Sequence, residues 1–384
     1  MAALAAFVAA AALPAAAQGG GAARLGSYPQ GGLTKAALGL AAAQGGGAAR
    51  LGSYRIRKDR IFVAGFSSGG FMAVQMEVAY ARLFSGAATY AAGPYYCAQG
   101  SPETALSSCM KASGPINLAA LEKVTESWAA NQLIDPLGYL RRHAVYLWSS
   151  RLDTIVRQPA TDALEAYYRN FGVDVFRYDR DFNAAHGWES PYGPTSCAGF
   201  ASPYVILCRE DDRIGWRGSP APGAYDSQQV WLSRFFGLLN PKNEARLSGS
   251  LAAFDQNEFA PRGSASGIGM AGRGFVFAPR SCAGRGPAGC GLLLVLHGCL
   301  QSSESVGLAF VRDAGLNQWA DTNGVVVLYP QTIRTPVSNP LGCWDWWGYL
   351  KAPDYARKSG PQMRALYRMV LRAAAIREAG GGRE

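Results

Sequence analysis

The sequence contains little histidine and little charge. Of its 384 residues, three are histidines (His143, His186 and His297), and 17% are Asp, Glu, Lys or Arg. A mechanism that needs an imidazole base therefore has three candidates. The net charge of +10 comes from scattered arginines rather than from a dense basic run, which argues against a dedicated nucleic-acid-binding protein. With 49% hydrophobic residues, the composition is that of a folded globular chain.

The sequence also has no apolar run long enough to span a bilayer and no pattern of zinc ligands. The apolar run at the N-terminus has about a dozen residues and ends in Ala15, Ala16 and Ala17, as a secretory signal peptide ends in small residues. We therefore predict a secreted protein whose residues 1–17 are a signal peptide. We expect no metal, no cofactor, and neither a membrane nor a nucleic acid as partner.

A Gly- and Ala-rich segment, AAAQGGGAARLGSY, occurs twice, at residues 15–28 and 41–54. Two identical copies indicate a duplication rather than a solenoid, which needs at least three units. We assign residues 18–54 to a low-complexity segment and residues 55–384 to a single folded domain.

Eight cysteines form an even set, as expected for disulfides in an exported protein. The sequence alone leaves their connectivity open, because many pairings are possible. Buried free thiols are the alternative.

Short β-rich runs alternate with helical segments after residue 54. The predicted strands are residues 60–66, 87–92, 144–148, 173–178, 274–278, 292–296 and 325–329, with a further one in GSLAAF near residue 250. The predicted helices are residues 71–84, 159–171, 310–320 and 362–376. This alternation predicts an α/β fold with a mostly parallel, doubly wound sheet.

A candidate nucleophile lies between the first predicted strand and the first predicted helix. Residues Gly65 to Gly69 read GFSSG and match the pattern G-x-S-x-G, in which a sharp turn lifts the central serine above the sheet. We assign Ser67 as the nucleophile and expect the Ser68 N–H to stabilise an oxyanion. A structural Gly/Ser-rich turn is the alternative.

A serine nucleophile needs a base, and the three histidines occupy different contexts. His297 ends a predicted strand in LHGC, where such folds place the oxyanion loop. His143 follows two arginines, and we predict that it is exposed. His186 lies in a loop just past predicted strand 173–178, so we assign it as the base.

The orienting acid should follow an earlier strand, as Asp153 does. Asp179 and Asp181 are rivals, although they lie on the loop of His186 itself. The order Ser67, Asp153, His186 matches the nucleophile, acid, histidine order of α/β-hydrolases.

The position of the oxyanion loop is unusual, because His297 follows Ser67 rather than preceding it. When the chain is read from about Leu247, the elements come in the familiar order. A circular permutation explains this arrangement, with new termini between predicted helix 362–376 and the nucleophile strand. Permutation is tolerated where the two ends lie close together at the surface.

These residues resemble the catalytic domain of extracellular poly(3-hydroxybutyrate) depolymerases, of the permuted type whose oxyanion histidine comes last. The shared motifs are GFSSGGFMAVQ around Ser67, AAGPYYCAQG around Cys97, LHGCLQS around His297, QWADTNGVVVLYPQ after it, and NPLGCWDWWGY around Trp344. The resemblance implies a circularly permuted α/β-hydrolase fold. It also implies a monomeric serine esterase that hydrolyses poly(3-hydroxybutyrate) or its oligomers through an acyl-enzyme.

In that family the catalytic triad carries over to Ser67, Asp153 and His186, and the oxyanion donors to the main-chain N–H groups of Ser68 and Cys299. The family pairing of cysteines implies the disulfides Cys97–Cys109, Cys197–Cys208, Cys282–Cys290 and Cys299–Cys343.

Four aromatic residues near the end of the last motif are expected to form an apolar wall that binds an uncharged polyester: Trp344, Trp346, Trp347 and Tyr349. Core packing is the alternative for Trp344 and Trp346, because large aromatic side chains also fill cores. Two other functions stay open. One is a secreted carboxylesterase of the feruloyl or acetyl-xylan type, and the other is a non-catalytic binding protein on a hydrolase scaffold. No downstream polymer-adsorbing domain is recognised, so oligomers and amorphous polymer are the expected substrates.

Overall fold

The computed structural model describes residues 48–218, 223–283 and 289–378. The predicted signal peptide and the first copy of the repeat lie outside these residues. The strands are β1 (Ile56–Phe66), β2 (Gly86–Tyr90), β3 (Ala144–Trp148), β4 (Asp174–Asp179), β5 (Trp188–Glu189), β6 (Thr195–Ser196), β7 (Val205–Leu207), β8 (Ser250–Asp255), β9 (Arg273–Ala278), β10 (Cys290–Leu296) and β11 (Val325–Tyr329).

The longer helices cover the sheet, and short helical turns connect the other elements. The longer ones are α1 (Ser68–Ala79), α2 (Leu118–Ala130), α3 (Gln158–Asn170), α4 (Ser227–Phe236), α5 (Leu316–Asn323) and α6 (Pro361–Ala373). The short ones are Pro102–Thr104, Ala105–Lys111, Leu137–Leu140, Glu210–Asp212, Asn257–Phe259, Pro261–Gly263, Ser266–Ile268, Arg280–Cys282, Ser303–Val306 and Ala309–Asp313. Among the described residues, no helix combines the length and the apolar character needed to cross a membrane.

The central sheet has eight strands in the spatial order β4-β3-β2-β1-β10-β11-β9-β8. Strand β9 pairs antiparallel with both β11 and β8, and the other neighbours in this sheet pair parallel. We renumber the strands 1 to 8 along the chain, starting at β8 and continuing after β11 with β1 to β4. Read from the β8 edge, the spatial order is then 1-2-4-3-5-6-7-8. This is the strand order of an α/β-hydrolase sheet, with the nucleophile after the fifth strand. The structure thus confirms the predicted circularly permuted α/β-hydrolase fold.

The two ends created by the permutation lie beside each other. The Tyr54 N–H donates to the Ala373 carbonyl at 2.7 Å, where β1 is about to begin and α6 ends. The adjacent Ser53 hydroxyl donates to the Arg372 carbonyl at 2.8 Å. The end of α6 and the start of β1 therefore lie close enough to have been connected by a short loop before the permutation.

The end of the second repeat copy packs on the domain rather than remaining apart from it. Ala49 forms a parallel bridge with Phe254 of β8, and Leu51 is 2% exposed. Arg50 forms an ion pair with Glu258 at 2.8 Å. Residues 48–54, which the sequence places in the low-complexity segment, therefore contact the sheet edge.

The central strands are buried on both faces because helices cover the sheet on each side. All residues of β2, β10 and β11 are buried. The predicted helix 310–320 is in fact two helices, since Gly315 adopts a left-handed backbone conformation (φ 77°) between them. Helices α2 and α4 and a small sheet, β5-β7-β6, have no counterpart among the predicted elements.

Candidate active site

Ser67 lies at a strained turn between β1 and α1. Its backbone has φ 55° and ψ −122°, a conformation that costs about 1–3 kcal/mol for a residue other than glycine. The flanking glycines permit the turn, because a Cβ on Gly65 would lie 2.0 Å from the Gly69 carbonyl oxygen. A Cβ on Gly69 would lie 2.1 Å from the Leu296 carbonyl oxygen of β10. The turn therefore needs glycine at both positions of the motif.

Ser67, His186 and Asp153 form a continuous chain of hydrogen bonds. The Ser67 hydroxyl lies 2.9 Å from His186 Nε2, and His186 Nδ1 lies 2.6 Å from Asp153 Oδ2. All three side chains are buried, with 5–7% of each residue exposed. The structure thus brings together the serine, the histidine and the acid predicted from the sequence.

The loops that carry the acid and the histidine are joined to each other. The Leu152 N–H donates to the Ala184 carbonyl at 3.2 Å, and the Arg151 N–H donates to the Phe182 carbonyl at 3.2 Å. The other carboxylate oxygen of Asp153, Oδ1, accepts the N–H groups of Ile155 and Val156, each at 2.8 Å. The carboxylate is thus fixed by its own loop and presents Oδ2 to the imidazole.

Two main-chain N–H groups near Ser67 have no acceptor within the described part of the chain. One is that of Ser68, at the first position of α1, and the other is that of Cys299. The neighbouring Gly298 N–H donates to the Gln301 side chain at 2.7 Å. Gln301 also donates to the carbonyls of Pro203 and Tyr204 at 3.0 and 2.9 Å, so it holds the loop in place. Loop residues 297–299 can therefore present an N–H group beside the start of α1.

His297 is fully buried beneath this loop. Its Nδ1 lies 2.7 Å from the Gly298 carbonyl, and its Nε2 lies 3.3 Å from the Thr332 N–H. Burial lowers the pKa of His297 to about 4, because desolvation disfavours the imidazolium. The ring is therefore neutral at neutral pH, with Nδ1 donating and Nε2 accepting, and contacts neither Ser67 nor an acid.

The prediction that His143 is exposed is wrong. This residue is 3% exposed, and its Nδ1 lies 3.0 Å from a carboxylate oxygen of the buried Glu77, on α1. The Nε2 lies 2.9 Å from the Ala81 carbonyl, and the Tyr168 hydroxyl donates to Glu77. A buried carboxylate needs such partners, whereas the preceding arginines suggested a surface position.

The rival acids Asp179 and Asp181 are held elsewhere. Asp179 accepts hydrogen bonds from the hydroxyls of Tyr146 and Tyr225, and Arg213 forms ion pairs with both aspartates. Their side chains therefore support the end of β4, and neither forms a hydrogen bond to His186 in the described structure.

Trp344 packs in the core, which is the alternative that the sequence left open for it. It is fully buried, and its indole N–H donates to the His297 carbonyl at 3.0 Å, so it supports the oxyanion loop from below. Trp346, Trp347 and Tyr349 keep 4%, 9% and 8% of their surface exposed. Trp346 stacks on Phe71 of α1 with ring centroids 3.9 Å apart. For these three residues, contact with substrate stays a prediction.

The structure contains four disulfides, and they join the pairs that the resemblance implies: Cys97–Cys109, Cys197–Cys208, Cys282–Cys290 and Cys299–Cys343. No described cysteine is free. The last bridge ties the oxyanion loop to the Trp-rich segment, and Cys197–Cys208 closes the loop that follows His186.

Two residues of the site were not predicted. Gln301 holds the oxyanion loop through hydrogen bonds. It lies within the motif LHGCLQS, but no sequence pattern predicts this role for it. Phe200 is 47% exposed, and its ring centroid lies 6.4 Å from that of His186. No sequence pattern marks an exposed aromatic side chain at the mouth of a site.

Two curated proteins are similar to the chain over most of its length. The poly(3-hydroxybutyrate) depolymerase of Delftia acidovorans is 39% identical over 324 residues, which cover 83% of this chain and 60% of that protein. The polyhydroxybutyrate depolymerase of Talaromyces funiculosus is 33% identical over 82% of this chain and 89% of that protein. The chain thus spans less than two thirds of the Delftia protein but most of the Talaromyces one. No protein-family model matches the chain.

Solved structures agree with these relatives. The crystal structure of the PHB depolymerase from Penicillium funiculosum is 32% identical, with a TM-score of 0.73 over 85% of this chain and 99% of that one. A variant PHB depolymerase complexed with an R3HB trimer matches equally well. The identity and the coverage of most of the Talaromyces protein, with the permuted sheet, show that the chain belongs to the polyhydroxybutyrate depolymerase family.

Proposed function

We propose that this protein is a secreted serine esterase that hydrolyses poly(3-hydroxybutyrate) or its oligomers through an acyl-enzyme. The observation that carries the proposal is the chain of hydrogen bonds from Asp153 through His186 to Ser67, at a turn strained to present the serine. The named depolymerase relatives and the neighbouring structure with a bound R3HB trimer support the choice of substrate.

In the first half of the reaction, the Ser67 Oγ attacks the ester carbonyl while His186 Nε2 takes its proton. Asp153 Oδ2 accepts the His186 Nδ1–H, which holds the required tautomer and stabilises the imidazolium. His186 then gives the proton to the leaving hydroxyl group as the C–O bond breaks. In the second half, His186 takes a proton from water, which attacks the acyl-enzyme, and the proton returns to Ser67 as the acid product leaves.

The negative charge on the tetrahedral intermediate is stabilised by the N–H groups of Ser68 and Cys299. Neither group has another acceptor among the described residues, and both stand next to elements fixed by packing. Loss of one such donor typically raises the barrier by about 3 kcal/mol. The neutral His297 orients this loop and takes no proton from the substrate.

The four disulfides support export, because such bonds persist in oxidising compartments. Residues 1–17 act as the signal peptide, residues 55–384 form the catalytic domain, and the protein works as a monomer without metal or cofactor. An uncharged polyester backbone suits a mouth where Leu152 and Phe200 are both 47% exposed.

Product analysis on amorphous poly(3-hydroxybutyrate) and on its trimer tests the proposal, with Ser67→Ala as the control. We expect soluble 3-hydroxybutyrate products from the wild type and none from the variant. Turnover of feruloyl or acetyl-xylan esters without any cleavage of the trimer would favour the plant cell-wall esterase instead. Failure of a serine-reactive phosphonate to label Ser67 would favour a non-catalytic binding protein.

A further inference from the structure

Asp345 is a buried carboxylate within the Trp-rich segment, residues 343–350. It is 2% exposed, and its Oδ1 accepts the Tyr349 N–H at 2.6 Å. Burial raises the pKa of the carboxyl, whereas the main-chain N–H groups of Gly348 and Leu350, which flank Tyr349, lower it. Its Oδ2 is buried and has no hydrogen-bond partner among the described residues. The carboxylate therefore acts on the turn that follows it in the chain, through the main-chain N–H groups of that turn.

This turn connects to the nucleophile on one side. Trp346, next to Asp345, stacks on Phe71 with an interplanar angle of 15°. The Phe71 N–H in turn donates to the Ser67 carbonyl at 2.9 Å. The stacked ring of Phe71 therefore anchors the Trp346 side of the turn on α1.

The segment connects to the oxyanion loop on its other side. The Trp344 indole donates to the His297 carbonyl, and Cys343 is bonded to Cys299. The segment with Asp345 at its centre therefore contacts both the nucleophile helix and the oxyanion loop.

Gln362, in the first turn of α6, braces the same segment from behind. Its Oε1 accepts the Asp345 N–H at 2.9 Å, and its Nε2 donates to the Tyr349 hydroxyl at 3.0 Å. Trp347 and Tyr349 have ring centroids 5.1 Å apart, so the position of one ring affects the other. Gln362 fixes the ends of the turn, and Asp345 fixes the backbone between them.

We propose that Asp345 is a positioning residue for substrate binding. Its carboxylate holds the turn from Trp346 to Leu350 and thereby sets the orientation of the Trp347 ring, which would contact a chain of several ester units. The role rests on the proposed function, because it assumes that the aromatic side chains of this segment contact the substrate. It does not involve a proton transfer, since Asp345 is not hydrogen-bonded to any residue of the triad.

The carboxylate acts here as a hydrogen-bond acceptor. Burial raises the pKa of Asp345 to about 7, and Oδ1 can accept the N–H groups in either protonation state. An asparagine keeps that acceptor and the shape of the side chain, whereas an alanine removes it. The pair Asp345→Asn and Asp345→Leu, which keep a side chain of similar size with and without the acceptor, therefore separates the acceptor from the mere presence of a side chain.

The matched control is Asp321, at the opposite end of the sheet, before β11 begins. Its carboxylate accepts the N–H groups of Ser248 and Gly249 at 2.9 and 2.7 Å, so it also holds a loop through successive main-chain donors. Asp321→Ala removes a comparable set of hydrogen bonds without touching the Trp-rich segment. Any effect of general destabilisation should appear in both alanine variants.

The test measures KM and kcat for the 3-hydroxybutyrate trimer and for p-nitrophenyl acetate, which has a single ester unit and a short acyl group. We expect Asp345→Ala to raise KM for the trimer on the order of tenfold, with a change of less than about threefold in either constant for the acetate. Asp345→Asn should restore KM to within about threefold of the wild type, because the acceptor is retained. Asp321→Ala should leave both KM values unchanged.

An unchanged trimer KM in Asp345→Ala would overturn the proposal, as would an equal rise for both esters or an equal rise in Asp321→Ala. If the wild type does not cleave the trimer, the proposed function fails. The positioning role is then tested by the same variants on p-nitrophenyl butyrate against acetate. If Asp345→Ala does not fold, Asp345→Asn compared with the isosteric Asp345→Leu on the same esters replaces it.

Discussion

The loops around His186 and His297 contain the same side chain in very different surroundings. His186 lies between a serine hydroxyl and a carboxylate, and 7% of its surface is exposed. His297 lies between a carbonyl and a main-chain N–H, and none of its surface is exposed. One ring can therefore gain and release a proton with a charged partner beside it, whereas the other is held neutral. The charged partner beside His186 and the full desolvation of His297, rather than the residue type, separate the base from the structural histidine.

The first prediction tests whether His186 and His297 have different roles. His186→Ala should lower kcat for the trimer on the order of 10⁵-fold, because the serine loses its proton acceptor. His297→Gln should lower kcat by no more than about a thousandfold, because it disturbs one oxyanion donor at most. Steady-state kinetics of both variants checks this, and equal losses would contradict the separation of the two roles.

The second prediction removes the charged partner of the base. Asp153→Asn should lower kcat on the order of 10⁴-fold, since the amide favours the wrong tautomer of His186. The control is Asp179→Asn, which alters a buried carboxylate outside the triad and should change stability more than kcat. A loss of activity with Asp179→Asn that matches that of Asp153→Asn would show that the acid is assigned incorrectly.

The third prediction compares the disulfides that close the two regions. Replacing Cys299 and Cys343 by serine opens a link between residues 44 positions apart, and should lower the free energy of unfolding by about 4 kcal/mol. Replacing Cys197 and Cys208 opens a link of 11 positions and should cost about 3 kcal/mol. Denaturant titration of the two double variants measures both values. A larger loss for the shorter link would contradict the loop-length argument.

The fourth prediction concerns the neutral histidine and pH. The folded-state pKa of His297, about 4, lies below its ordinary value of 6.5, so the unfolded chain takes up the proton first. The stability that depends on the neutral ring is present above about pH 6.5 and lost as the pH falls towards 4, by about 3 kcal/mol at most. The slope of the unfolding free energy against pH should therefore be less positive in His297→Gln than in the wild type over this range.

The titration of Asp345 does not change the difference in pH dependence between the wild type and His297→Gln. Burial raises its pKa to about 7, which gives a slope of opposite sign, and it is present in both proteins. Equal slopes for the wild type and His297→Gln between pH 6.5 and 4 would contradict the assignment of a neutral, buried His297.

The fold could be predicted from the sequence because its elements are strongly patterned. Strands β3 and β11 lie at their predicted residues, and the motif around Ser67 showed where the nucleophile turn begins. The order of His297 after Ser67 was sufficient to predict the permutation. Helix α2 was missed, since only Leu121, Thr125 and Trp128 of its residues are buried and its apolar stripe is narrow.

The sequence was a poorer guide to site residues whose positions depend on tertiary contacts. The position of His143 against Glu77 depends on packing between α1 and the start of β3, which the neighbouring arginines do not reveal. Trp344 has the same residue type as Trp347, yet the indole of Trp344 donates to the His297 carbonyl, whereas the ring of Trp347 packs beside Tyr349. Which of these rings is fully buried depends on tertiary packing, rather than on composition.

The central claim is that Ser67 is a nucleophile activated by His186. The most direct measurement is labelling with a serine-reactive phosphonate, followed by mass spectrometry of the peptide that contains Ser67. We expect one label per chain on Ser67 in the wild type, none in Ser67→Ala, and a much slower reaction in His186→Ala. Labelling of another serine, or labelling of Ser67 at the same rate without His186, would contradict the account.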